Sequence, residues 1–156
     1  MRTLARILYP TDFSPAAAAA WPLAQELAER SGATLLVLHV PLQVPDDSRI
    51  ALAVRDAMRA TIRRRAEEAY ATLTRGTTLP PDRLALHLVT GVPAEQIVGQ
   101  ARAHQVDLIV MGTHGYSGAV RWLVGSVAQH VIRTAPCPVL TVGPGEREAL
   151  QERGAA

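Results

Sequence analysis

Short apolar runs of four to seven residues alternate with longer segments of helical period, and this alternation constrains the fold more than any other feature of the chain. A strand can pair in parallel with its predecessor only through a crossover, so the succession strand, helix, strand is the signature of a parallel sheet with covering helices. The order reads βαβαβαβαβ. The first strand is Arg6 to Tyr9, closed by Pro10; Ser14 then caps a helix with Pro15 at its first position, Ala16 to Ala20 carry it onward, and Gly32 ends it. Thr34 to Val40 (TLLVLHV) is nearly continuous in apolar residues, as expected of a central strand covered on both faces. Pro41 and Pro45 bracket a loop. From about Ser48 to Arg75, the spacing of Val54, Met58, Ile62, Ala66, Ala69 and Leu73 predicts one long helix with a single apolar stripe, stopped by Gly76. After a TTLPPD loop, Leu84, Leu86 and Leu88 alternate with Ala85, His87 and Val89, which fits an edge strand. Gly91 and Pro93 start the third helix, which carries Ile97 and Ala101 inward and ends before Asp107; Leu108 to Met111 is another fully apolar strand. A helix over Ser126 to Thr134 and a last strand, Val139 to Val142, complete the series. No internal repeat or linker divides it, so residues 1–143 read as one domain and residues 144–156 as a polar tail.

Composition removes several classes of chemistry. A chain of 156 residues is long enough to bury one proper core and too short for a second catalytic module. No apolar run approaches the roughly 20 residues of a membrane span, and MRTLARILYPTD lacks the apolar region and cleavage site of a signal peptide. A cytoplasmic location without membrane association is expected. The single cysteine, Cys137, excludes an intramolecular disulfide and a cysteine-based zinc cluster, and reads as a buried thiol. All 16 cations are arginines. Without lysine there is no P-loop chemistry, no Schiff base and no kinase-type lysine; without asparagine there is no N-glycosylation. A net charge of +2 gives little support for a nucleic-acid partner. The densest basic cluster, Arg59, Arg63, Arg64 and Arg65, alternates with apolar helix positions and precedes Glu67 and Glu68, so it reads as a solvated helix face.

The segment that carries chemistry is DLIVMGTHGYSGAVRWLVGSVAQHVIRTAPCPVLTV, where glycines stand at 112, 115, 118 and 125 between a buried strand and a helix start. In a parallel α/β sheet the carboxyl ends of the strands line the ligand crevice. Glycines there let backbone N–H groups approach an anion, and a helix beginning near Ser126 adds unpaired donors and the positive end of a dipole. A phosphate chain is the natural occupant, with a hydroxyl from Ser126 and an amide from Val127.

The spacing Gly112, two residues, Gly115, nine residues, Gly125 and Ser126 resembles the nucleotide-binding signature of the universal stress protein family. The resemblance extends over ILYPTDFS, LLVLHV, GVPAEQI, DLIVMGTHG and GSVAQHVIRTAPCPVLTV, nearly the whole chain. It implies a single Rossmann-like α/β domain of the adenine nucleotide alpha hydrolase type, with a five-stranded parallel sheet in the order 3-2-1-4-5 and helices on both faces. It also implies ATP or another adenine nucleotide as ligand and a homodimer paired through the last strand. By position, Pro10, Thr11 and Asp12 then meet the adenosine moiety, and Val40 the adenine. Met111 and Gly112 form the floor, His114 and Gly115 the loop over the phosphates, and Gly125, Ser126 and Val127 the phosphate-binding helix start. Ala128 departs from the pattern, since some ATP-binding members have a hydroxyl residue there.

Read from local chemistry alone, Asp12 equally suits a turn or capping carboxylate, and Val40 suits the core. His114 is the one histidine in a glycine loop; His39, His87, His104 and His130 read as packing or surface residues, and Arg121 as solvated. Hydrolysis of ATP needs a positioned base and usually a held metal, and neither a carboxylate pair nor a metal-ligand cluster adjoins the glycine segment. No catalytic residue is therefore assigned, and Mg²⁺ or Mn²⁺ is expected to be held mainly through the phosphates. An acid/base pair of His114 and Asp12 is the enzymatic alternative. The last strand, Val139 to Val142, would be an exposed edge in a monomer, and antiparallel pairing with a second copy would cover it. The expected function is an adenine-nucleotide-binding stress regulator, with a nucleotide-independent dimeric interaction module as the alternative.

Overall fold

The computed structural model describes residues 3–113 and 124–143. Strands β1 (Arg6–Pro10), β2 (Thr34–His39), β3 (Leu84–Leu88), β4 (Leu108–Gly112) and β5 (Val139–Val142) form one sheet in the order β3-β2-β1-β4-β5. Every pairing is parallel. Ile7 lies opposite Leu35 on one side and Leu108 on the other, which places β1 at the centre. The helices are α1 (Pro15–Ala18), α2 (Trp21–Ser31), α3 (Leu52–Leu73), α4 (Pro93–Ala103) and α5 (Ser126–Thr134), with a 3-10 turn at Pro81–Arg83.

Successive side chains of a strand point to opposite faces, so the continuous apolar runs divide between two cores. Ile7, Tyr9, Leu35, Val37 and Val110 face Trp21, Ala24 and Ala28 of α2, with Tyr70 and Leu73 of α3 packed alongside. Leu8, Leu36, Leu38, Ile109 and Met111 face Ile97, Val98 and Ala101 of α4 and Ala128 and Val131 of α5. The result is three layers: α1, α2 and α3, then the sheet, then α4 and α5. Gly32 ends α2 in the left-handed conformation, φ 74°, which a glycine adopts without steric cost.

The helix expected from Ser14 to Gly32 is divided in two. Pro22 has no N–H for the carbonyl of Ala18 and its ring crowds that carbonyl, so α1 stops at Ala18 and α2 restarts at Trp21 with Pro22 in its first turn. The long helix begins at Leu52 rather than near Ser48, and Ala66 is the one member of its stripe that is buried. Val54 and Met58 remain 51% and 41% exposed, because the core that α3 covers meets its C-terminal part, at Tyr70 and Leu73. β2 ends one residue early, at His39, and β1 and β4 run one residue further, to Pro10 and Gly112. Asp107, expected only as the residue after a helix, also links two strands. Its Oδ2 accepts from the backbone N–H groups of Ala5 and Arg6, at 2.8 and 3.0 Å, and so ties the start of β1 to the start of β4. Cys137 is half-buried rather than buried, and partial burial with the nearby charge of Asp107 raises its thiol pKa.

Tyr9 is fully buried, packs edge-on against Trp21 with ring centroids 5.4 Å apart, and donates its hydroxyl to the carbonyl of Ala17 at 2.9 Å. Burial pushes its phenol up to about 12, from an ordinary value of about 10. The folded state therefore favours the neutral phenol. Its contribution is fully present below pH ~10 and is lost as pH rises toward 12, an effect of about 2–3 kcal/mol by linkage. Urea unfolding of wild type and Tyr9→Phe should show wild type losing stability faster between these pH values; parallel profiles would contradict this assignment.

Candidate functional site

The order β3-β2-β1-β4-β5 reverses direction at β1. The crossover leaving β1 runs over one face through α1 and α2, and the crossover leaving β4 runs over the other through α5. Chains departing to opposite faces leave a crevice between the carboxyl ends of their strands. A cavity of ≈ 470 Å³ occupies that position.

The floor of the cavity is the turn after β1, which is held by its own polar groups. Thr11 N–H donates to the Leu38 carbonyl at 2.9 Å, and the Thr11 carbonyl accepts from His39 Nδ1 at 2.8 Å, so the turn is tied to the end of β2. Phe13 N–H donates to Thr11 Oγ1 and Ser14 N–H to Asp12 Oδ1, both at 2.9 Å. Ser14, buried, accepts from Ala17 N–H at 3.1 Å and caps α1. Phe13 takes a positive φ of 61°, uncommon for a residue with a side chain, and its ring lies 4.8 Å from that of His39. Asp12 thus holds the turn through one oxygen while lining the cavity.

The opposite wall is the start of α5. Gly125 is the N-cap residue, with its N–H on the Thr113 carbonyl at 2.8 Å and its carbonyl accepting from Gln129 N–H at 2.9 Å. The amides of Ser126, Val127 and Ala128 precede the first intrahelical bond, so they have no acceptor within the helix. All three residues line the cavity. The side walls are apolar: Leu38, Val40 and Leu42 on the β2 side, Pro93 and Ile97 on the α4 side, and Met111 from β4. An aromatic or otherwise flat apolar group suits these walls, and an anion suits the helix start.

Of the residues named from the sequence, Pro10, Thr11, Asp12, Val40, Met111, Gly112, Gly125, Ser126 and Val127 are brought together around this one cavity. His114, Gly115, Arg121 and the tail 144–156 lie outside the described residues. Ala128, noted as a departure, is a buried part of the lining and presents a methyl group where a hydroxyl would donate. Leu42, Thr113 and Ile97 also line the cavity, although Ile97 was read as core and the other two carried no signal. His39, read as packing or surface, positions the Thr11 turn; its place beside Val40 was the available clue. Among the described residues no three His, Cys, Asp or Glu side chains gather into a metal-binding group. No helix among them is long and apolar enough to cross a membrane.

A doubly wound parallel sheet with a crevice at its switch point defines a Rossmann-like α/β domain. The model of the universal stress protein family matches residues 3–143, and the chain belongs to that family. Universal stress protein MJ0531 of Methanocaldococcus jannaschii is 32% identical over 143 residues, covering 92% of this chain and 84% of its own. A universal stress protein of Thermus aquaticus is 37% identical over 138 residues, covering 87% and 96%. Among solved structures, the universal stress protein UspA from Lactobacillus plantarum matches with a TM-score of 0.75 at 30% identity, over 91% of this chain and 99% of that one.

The Thr11 carbonyl lies in a turn whose Thr11 residue is buried, so losing its donor leaves an acceptor short of a partner. His39→Leu should lower stability by about 1–3 kcal/mol in urea unfolding. An unchanged unfolding midpoint would show that the His39 bond does not hold the turn.

Proposed function

We propose that the chain binds an adenine nucleotide, ATP foremost, in the cavity at the carboxyl ends of β1 and β4, and acts as a nucleotide-responsive regulator in the stress response. The observation that carries this reading is the pairing, in one cavity, of apolar walls with the uncapped amides and hydroxyl at the start of α5. The base would lie against Val40, with Pro10, Thr11 and Asp12 beside the ribose and Met111 and Gly112 beneath. The phosphates would meet the Ser126 and Val127 amides and the Ser126 hydroxyl, with His114 and Gly115 over them. Proteins of the same fold have been solved with cAMP and with dAMP, at 24% and 23% identity to this chain. With a methyl at Ala128 in place of a hydroxyl donor, the base and ribose contribute more of the affinity than the terminal phosphate.

The donor set suits a nucleotide phosphate: neutral amides, one hydroxyl, no lysine. Mg²⁺ or Mn²⁺, when bound, would be held mainly by phosphate oxygens and would neutralise their charge. Asp12 uses Oδ1 to hold the turn, and in this reading it supports binding and orientation. The reading is therefore of a binding protein whose hydrolysis of ATP, if measurable, is very slow.

The same reading includes a homodimer. β5 is the outer strand of the sheet, its backbone edge faces away from β4, and Leu140 is 37% exposed on it. Antiparallel pairing of β5 with a second copy would satisfy that edge and cover Leu140.

Two measurements test these statements. Gly125→Val places a β-branched side chain beside the phosphate position; it should weaken ATP binding at least about 100-fold (~2.7 kcal/mol) in equilibrium titration while the protein stays folded. Undiminished affinity would remove the phosphates from α5, and absence of binding by wild type to ATP, ADP and AMP alike would favour the nucleotide-independent interaction module. In light scattering, wild type should be a dimer and folded Leu140→Arg a monomer; a monomeric wild type would reject the β5 pairing.

A further inference from the structure

A second cavity, of ≈ 440 Å³, lies along the same edge of the sheet, between the loop after β2, the exposed half of α3 and the end of β3. Its volume falls within the range of small-molecule sites. Leu42, Val44, Ile62 and Leu88 give it an apolar wall, Gln43 and Thr90 add polar groups, and two guanidinium groups, Arg59 and Arg63, stand on its α3 side. Leu42 lines both cavities and is 89% exposed, the most exposed of the large apolar side chains among the described residues.

The arginines of α3 differ in what they engage. Arg55 pairs with Asp46, Arg59 with Asp56 at 3.3 Å, and Arg64 with Glu68 at 2.8 Å. Arg63 makes no ion pair or hydrogen bond among the described residues, and Glu67, one turn further on, does not reach it. Of the two guanidinium groups at the cavity, one already shares a carboxylate. One unit of positive charge is left beside the cavity's apolar wall.

We propose that this second cavity binds an amphipathic monoanion, a carboxylate on a medium-length apolar chain, with the head on Arg63 and Arg59 and the chain over Leu42, Val44, Ile62 and Leu88. A planar guanidinium donates two parallel hydrogen bonds to a carboxylate. The chain removes apolar surface from water, Leu42 included. A phosphate monoester, near two negative charges, would leave one of them without a cation. The site shares only Leu42 with the nucleotide cavity and stands whether or not a nucleotide binds there.

Octanoate, below its micelle concentration, is the probe, titrated into the full chain by calorimetry and located by backbone-amide NMR. Octanoate should bind, with its largest shifts at Val44, Ile62 and Leu88, and 1-octanol should bind at least about 10-fold more weakly. Arg63→Gln should weaken octanoate binding by about 10-fold. Arg65→Gln, on the same helix but outside the lining, should not. Thermal melts of both exposed-residue variants establish that the fold is retained. Saturating AMP should leave the Val44, Ile62 and Leu88 shifts in place, so a failure of the nucleotide reading does not touch this one. The proposal is overturned by no binding at millimolar octanoate, by octanol binding equally well, by affinity indifferent to Arg63, or by shifts confined to Ser126 and Val127.

Discussion

The structure depends on the position of β1, hydrogen-bonded in parallel to β2 on one side and β4 on the other. A central parallel strand is buried on both faces, so Ile7, Leu8 and Tyr9 must all be large and apolar, and both faces of the sheet need helices. Parallel neighbours also impose crossovers, and right-handed crossovers that lead outward from a central strand in both directions must lie on opposite faces. The crevice is a consequence of that geometry. Before any ligand is considered, the chain has a gap where β1 and β4 end, floored by a turn that has just left the sheet.

That turn keeps one backbone bond to a neighbouring strand, from Thr11 N–H to the Leu38 carbonyl of β2, and needs side chains for the rest. The side chains of Thr11, Asp12, Ser14 and His39 supply these, through bonds between 2.8 and 3.1 Å. Of these, Thr11 and Asp12 also line the cavity, so fold and site share residues there. Across the gap, the start of α5 contributes donors because a helix always leaves its first amides unmatched. Two ordinary features of an α/β domain, a strand end and a helix start, thereby place apolar walls and unmatched amide donors in one cavity. The chain with this arrangement belongs to the universal stress protein family.

Strands were readable because burial on both faces writes itself as an unbroken apolar run. Thr34–His39 and Leu108–Gly112 follow that rule, and α5 and β5 have the bounds their sequence predicts. The sheet order came from family resemblance, since local pattern does not say which strands are neighbours. The alanine run predicts one helix through Pro22, but a missing N–H at that position breaks a helix whatever the propensity around it. The stripe on α3 misled in another way. Periodicity marks the face that can be buried, and the position of the core determines how much of it is. His39 and Leu42 needed three dimensions: one acts through a bond to Thr11, 28 residues away, and the other projects from a loop.

The account rests on an adenine nucleotide seated between β2 and α5, and the most direct measurement is a backbone-amide NMR titration of the full chain with ATP. It predicts saturable shifts that are largest at the amides of Ser126, Val127, Thr11 and Val40, from opposite walls of one cavity. Saturable shifts confined to another surface, or none at millimolar ATP, would contradict it.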